Sequence, residues 1–121
     1  MLSEIEAVRC VPAELDEDGA DHLMVVMLPD GTDRGGVTSA MAEDSIGTSV
    51  HFRPVHHFSG LQGRYELAEP LLECDRAASR ALSLPLHAMM TEQDVDRVVA
   101  SFGRALRASQ PQRDANSNGG A

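Results

Sequence analysis

The most strongly encoded element of this sequence is a helix near its carboxyl end, and it constrains what the rest of the chain must cover. Thr91 opens the pattern Thr-Glu-Gln-Asp, in which its hydroxyl and the carboxylate of Asp94 are placed to cap each other's backbone N–H groups. The pattern predicts an amphipathic helix over residues 91–107, which needs other elements to cover its apolar stripe. The apolar stripe consists of Val95, Val98, Val99, Phe102 and Leu106.

Weaker patterns elsewhere supply the elements that would cover this stripe. The apolar run 22–28 contains a Val-Val pair and stops at a Pro-Asp-Gly turn, which predicts a short buried strand. Apolar spacing predicts further helices over residues 33–44 and 69–82, the second with Cys74 and Ala78 on its apolar face. We therefore expect an α/β two-layer domain over residues 1–108, with a small, mainly antiparallel sheet and helices packed on one face. Residues 109–121 are rich in Gln, Asn, Ser and Gly and predict a disordered tail.

Residues 48–53 predict a second strand with an unusual polar face. Because side chains alternate along a strand, Val50 and Phe52 are expected to enter the core, while His51 and Arg53 share the opposite face. Arg and His donate hydrogen bonds to carboxylates and phosphates, so one interpretation of this face is an anion-binding surface. The other interpretation is a strand edge that carries ordinary polar residues.

Together with Arg53, three histidines form the densest polar cluster of the sequence, namely His51, His56 and His57. Their spacing matches no standard zinc pattern, and no carboxylate or Cys lies nearby in sequence. We therefore predict no metal site here.

The charge balance and the cysteines limit the class of protein. The chain has 19 acids and 10 bases, a net charge of −9, which disfavours binding to nucleic acid or to anionic membranes. All ten bases are Arg, so the 121 residues contain no Lys. The two cysteines, Cys10 and Cys74, are far apart, and we find neither a signal-peptide pattern nor an apolar run long enough to span a membrane. These features predict a cytoplasmic protein.

Two segments resemble the sugar aminotransferases of the DegT/DnrJ/StrS family. Residues 46–56 read IGTSVHFRPVH, which resembles the family segment GIgTsvHFxPvH. Residues 82–98 begin LSLPLH and end DVDRV, which resembles the closing family segment LSLPLhpxMTxxDvdrV. The order and separation of the two segments also fit, and the resemblance covers about residues 8–107. Ser45 stands where the family usually has a Gly that ends a helix.

The resemblance implies the carboxy-terminal small domain of a homodimeric, fold-type-I enzyme. Such enzymes use pyridoxal phosphate to move an amino group from Glu or Gln onto a keto sugar nucleotide or a cyclitol. The family's Schiff-base Lys and most of its cofactor contacts lie in a large domain that precedes the small one. By position, His51 and His56 match histidines near the substrate or the amino-donor carboxylate, and Arg53 lies between them. These three are our candidate substrate-binding residues, and we predict no catalytic or cofactor-binding residue within the chain.

The absence of Lys leaves three interpretations open. A guanidinium cannot form the Schiff base, because it stays protonated, so the chain is not expected to transaminate alone. The first interpretation is a fragment or split subunit of an aminotransferase that needs a large PLP-binding domain or chain. The alternative is a non-catalytic module that holds an anionic ligand or a partner with the face around Arg53. The third is a gene remnant without function.

Overall fold

The computed structural model describes residues 8–11 and 22–110, which form one antiparallel sheet and three α-helices. The sheet has the order β1–β2–β3, with strands Arg9–Val11 (β1), Met24–Met27 (β2) and Ala81–Leu84 (β3). The helices are Arg34–Glu43 (α1), Leu72–Arg80 (α2) and Glu92–Ser109 (α3). Two single-turn 3₁₀ helices lie between α1 and α2, at Val55–His57 and Ser59–Leu61.

The core lies between one face of the sheet and the pair α1 and α3. Val26 of β2 is paired with Leu82 of β3, and both are buried. α1 covers them with Met41, and α3 adds Phe102, which is completely buried, and Leu106. This arrangement confirms the predicted α/β fold with an antiparallel sheet, and α1 and α3 are the helices on its one face.

The capping box at the start of α3 forms as the sequence predicts. The backbone N–H of Asp94 donates to the Thr91 hydroxyl at 3.2 Å, and the backbone N–H of Thr91 donates to the Asp94 carboxylate at 2.8 Å. The helix runs to Ser109, two residues beyond the predicted end. The remainder of the predicted tail, residues 111–121, lies outside the described residues. No helix in the described ranges is both long and apolar enough to cross a bilayer.

The predicted helix over 69–82 is wrong at both ends, and its carboxyl end is a strand. α2 begins at Leu72 and stops at Arg80, after which the chain turns extended and pairs with β2. Pairing buries Leu82 and Leu84 in the core, so tertiary contacts override the local helical spacing. No residue of α2 is fully buried, and Cys74, predicted on its apolar face, is exposed.

The predicted strand over 48–53 is also wrong, except at Ser49. Ser49 and Ser83 exchange two backbone hydrogen bonds of 2.8 and 3.1 Å, and no ladder continues beyond them. Val50 is 38% exposed and Phe52 is 78% exposed, so neither enters the core. The core face of the sheet is already filled by α1 and α3, and Pro54 lacks the N–H that a longer ladder needs.

Candidate functional site

The segment that carries the candidate residues runs along the outer edge of β3. Ser45 ends α1 in the left-handed region, with φ of 59°, and Ile46 returns to the core. After the bridge at Ser49 the chain crosses to α2 and makes the 3₁₀ turn Val55–His57, in which the N–H of His57 donates to the Pro54 carbonyl at 2.9 Å. The candidate side chains therefore lie on a segment held by polar contacts at the edge of the domain.

His51 is held against the sheet. Its Nδ1 lies 3.0 Å from the Ser83 hydroxyl and 3.3 Å from the Ser49 hydroxyl. Ser83 is only 3% exposed, so its buried hydroxyl needs a hydrogen-bond partner, and His51 provides one. His51 is half-buried, whereas the predicted alternation placed it on the face away from the core. The two serines that hold it were not predicted as site residues.

His56 and His57 both contact Asp75 of α2. The Nε2 of His56 is hydrogen-bonded to the Asp75 Oδ1 at 2.6 Å, and the Nε2 of His57 lies 2.7 Å from the same oxygen. The His56 hydrogen bond is the main cause that lowers the pKa of the Asp75 carboxyl below its ordinary value of 3.8. The His56 side chain is only 11% exposed, whereas His57 is 42% exposed and Asp75 is 40% exposed.

A groove of about 420 Å³ lies between this segment and α2. Its apolar wall includes Phe52, and its polar lining consists of Arg34, Arg53, His57, Asp75 and Ser79. Arg34 reaches across from α1 and donates to two carbonyls at the end of α2, those of Ala78 and Ala81, at 2.5 and 3.1 Å.

The groove carries two guanidinium groups and an imidazole against one carboxylate, which already contacts two histidines. Guanidinium groups bind carboxylates and phosphates through paired N–H donors. The groove is therefore suited to a small anion, with Arg53, which is exposed, as its accessible donor.

The structure separates the three predicted site residues. Arg53 lines the groove, His56 lies largely buried behind it on Asp75, and His51 is bonded to Ser83 and does not line the groove. Beside Arg53, the groove has three charged or titratable residues that were not candidates: Arg34, His57 and Asp75. His57 belonged to the predicted polar cluster, whereas Arg34 gave no sequence signal.

Asp75 was missed because of a small error in the helical phase of α2. The predicted apolar face contained Cys74 and Ala78. In the structure Ala78 and Asp75 are half-buried, whereas Cys74 is exposed. The correct phase would have turned Asp75 toward the protein, but its contact with the two histidines depends on where the fold places α2.

Solved structures define the class of protein to which this fold belongs. The aminotransferase TlmJ from Streptoalloteichus hindustanus is 25% identical, with a TM-score of 0.73 over 88% of this chain and 28% of that one. The PLP form of Spr1654 from Streptococcus pneumoniae is 14% identical, with a TM-score of 0.73 over 91% of this chain and 30% of that one. The fold is therefore that of one domain of a fold-type-I aminotransferase.

The sequence comparison identifies the family. The profile of the DegT/DnrJ/EryC1/StrS aminotransferase family matches residues 1–103. The spore coat polysaccharide biosynthesis protein SpsC of Bacillus subtilis (strain 168) is 36% identical over 90 residues, which cover 69% of this chain and 23% of that protein. The chain belongs to the DegT/DnrJ/EryC1/StrS aminotransferase family. It spans less than a third of the length of these relatives.

The family's cofactor, pyridoxal phosphate, does not fit this chain as a covalent partner. The sequence contains no Lys, and the functional groups that line the groove are guanidinium, imidazole, carboxylate and hydroxyl. None of these forms a Schiff base with an aldehyde as a Lys amine does. A Schiff base with this cofactor would therefore need an amine from outside these 121 residues.

Proposed function

We propose that this chain is the carboxy-terminal domain of a PLP-dependent aminotransferase that acts on keto sugar nucleotides or cyclitols, and that it works only with a lysine-bearing large domain. The large domain belongs either to the same polypeptide or to a separate chain, and the complete enzyme is a homodimer. The proposal rests on how much of each chain is aligned: 88–91% of this chain matches only 28–30% of the solved aminotransferases. In addition, the chain has no Lys. A cytoplasmic location is part of the proposal, since Cys10 and Cys74 are free thiols.

Exposed apolar residues beside the groove support a missing partner domain. Phe52 is 78% exposed, Val55 is 64% exposed, and Leu72 at the start of α2 is 69% exposed. Large apolar side chains clustered around a polar groove are typical of a surface that another protein surface covers. On this proposal the large domain is the partner that covers this surface.

We assign the three candidate residues different parts in substrate binding. Arg53 donates to the carboxylate of the amino donor, Glu or Gln, because it is the accessible guanidinium of the groove. His56 orients the Arg53 segment through its hydrogen bond to Asp75. His51 fixes the preceding part of the segment on β3 through Ser83.

The proposal is tested by restoring a complete enzyme. The large domain of an active family member, with its own carboxy-terminal domain deleted, is combined with the 121-residue chain, both as a fusion and as separate chains. The measured quantity is glutamate-dependent amino transfer to a keto sugar nucleotide. We expect activity only when both parts are present.

A variant pair then tests the part assigned to Arg53. Arg53→Gln removes one charged hydrogen bond, so we expect kcat/KM for the amino donor to fall by about 10–100-fold. Arg64→Gln, an exposed position outside the groove, is the matched control and is expected to leave kcat/KM unchanged.

Binding of glutamate or 2-oxoglutarate by the chain, with no activity under any combination, would instead favour the non-catalytic module. If the chain showed neither binding nor activity, both functions would be refuted.

A further inference from the structure

The contact between the two adjacent histidines and α2 has a chemistry that the anion groove does not use. His56, His57 and Asp75 place two imidazole nitrogens and a carboxylate oxygen within 4.8 Å of one another. The three atoms converge because the 3₁₀ turn Val55–His57 directs two consecutive side chains toward the same helix. The sequence prediction of no metal site rested on the spacing of the histidines and on the lack of a nearby carboxylate or Cys. The fold supplies a carboxylate from 18 residues beyond His57.

We propose that His56, His57 and Asp75 bind a divalent transition-metal ion of the zinc class, with a coordination position open to the groove. Two imidazoles and one carboxylate are a ligand set that zinc and related divalent ions accept. Three protein ligands leave a fourth position for water or a ligand. His57 and Asp75 both line the groove, so the open position faces it.

The distances require only a small rearrangement. Ligand atoms around a tetrahedral zinc ion lie about 3.3 Å apart, given bonds of about 2.0–2.2 Å. The two Nε2–Oδ1 distances here are 2.6 and 2.7 Å, so the ligand atoms have to move apart by about 0.6–0.7 Å. His57 and Asp75 are each at least 40% exposed and have room to do so.

Metal binding also changes which nitrogen of each ring carries the proton. A carboxylate oxygen only accepts hydrogen bonds, so each neutral ring that donates to Asp75 carries its proton on Nε2. On metal binding the proton of such a ring moves to Nδ1, and the Nε2 lone pair then faces the ion. The ion replaces two N–H groups that compete for a single oxygen, and the ring centroids are only 4.4 Å apart.

The inference goes beyond the proposed function and does not depend on it, because it concerns binding by this chain without a large domain. The untagged, EDTA-treated chain is titrated with Zn²⁺ by calorimetry and with Co²⁺ by visible absorption. We expect one ion per chain, and competition of Zn²⁺ with the Co²⁺ absorption band.

Three variants locate the site. His57→Gln and Asp75→Asn each remove a direct ligand, so we expect affinity to fall by more than the ~10–100-fold typical of losing an outer-shell partner. His22→Gln removes an exposed histidine elsewhere and is expected to leave the affinity within about twofold of the unaltered chain. Far-ultraviolet circular dichroism verifies that each variant is folded.

Two results would overturn the inference. One is that the folded, unaltered chain binds neither Zn²⁺ nor Co²⁺, which would leave the three residues as a hydrogen-bonded contact. The other is that binding persists at full affinity in both His57→Gln and Asp75→Asn, which would place the ion elsewhere. Because the assay uses no large domain and no amino donor, these results are independent of any failure to restore transamination.

Discussion

Ser45→Gly is expected to stabilise the domain, because Ser45 adopts a conformation that favours glycine. Its φ is 59°, in the left-handed region where a Cβ atom crowds the backbone. The N–H of Ser45 donates to the Ala42 carbonyl and that of Ile46 to the Met41 carbonyl, each at 2.9 Å. These two bonds close the end of α1, so the chain cannot leave the left-handed region without losing them.

The size of the effect follows from two opposing contributions. The left-handed conformation costs a non-glycine residue about 1–2 kcal/mol. Part of the stability gained by relieving this strain is lost again, because glycine loses about 0.5–1 kcal/mol more backbone conformational entropy on folding. Ser45 is exposed, so loss of its side chain removes no buried contact. The net expectation is a free energy of unfolding about 0.5–1 kcal/mol higher, and a Tm about 2–8 °C higher.

The assay is urea unfolding of the 121-residue chain, followed by far-ultraviolet circular dichroism. Ser39→Gly is the matched control, since it makes the same chemical change at an exposed position inside α1. There glycine only loses helix propensity, and we expect destabilisation by about 0.5 kcal/mol. The two substitutions therefore have opposite signs. If Ser45→Gly destabilised the chain as much as Ser39→Gly does, the left-handed end of α1 would be refuted.

Three further predictions use the same unfolding assay. Phe102→Ala is expected to lower the free energy of unfolding by about 3–5 kcal/mol, because Phe102 is completely buried. Phe52→Ala, at a 78% exposed position, is expected to change it by no more than about 0.5 kcal/mol. Equal effects would contradict the assignment of the core. The pKa of Asp94 is lowered from 3.8, chiefly by the backbone N–H of Thr91, the N-cap residue of α3. The stability that the ionised carboxylate contributes is therefore fully present above the ordinary pKa, and it is lost as the pH falls through the folded-state pKa. The stability difference between the unaltered chain and Asp94→Asn should therefore shrink on acidification below about pH 4, and a constant difference would argue against the capping box. Ser101→Ala removes the 2.6 Å hydrogen bond from a buried hydroxyl to Asp44, and we expect a loss of about 1–2 kcal/mol; an unchanged midpoint would show that the bond contributes nothing.

The parts of the fold that could be predicted are those in which local pattern and tertiary packing agree. The capping box and apolar stripe of α3 and the apolar run that contains β2 need no distant partner to be recognised. β3 was missed because Ala81–Leu84 follows α2 without a turn signal and continues its helical spacing. Only the pairing of these residues with β2 makes them a strand, and that pairing joins positions more than 50 residues apart.

The candidate site shows the same limit. His51, Arg53 and His56 were identified from the polar segment and from its resemblance to a family, both of which are local features. Their partners were not: Ser83 and Asp75 lie on elements whose placement the sequence did not determine. The alternation over 48–53 failed for a related reason, because a period of two fixes which residues share a face but not which face is covered.

Core and site use different kinds of contact, and this separation determines how variants of the site behave. The core is apolar, and truncation of one of its large residues costs about 3–5 kcal/mol. Residues 47–57 contribute nothing to it and are held by polar contacts such as the one from His51 to the sheet. A typical intramolecular hydrogen bond contributes only about 0.5–1.5 kcal/mol. Substitution of one groove residue, such as Arg53 or His57, should therefore leave the fold intact, so a change in anion or metal binding reports on the site itself.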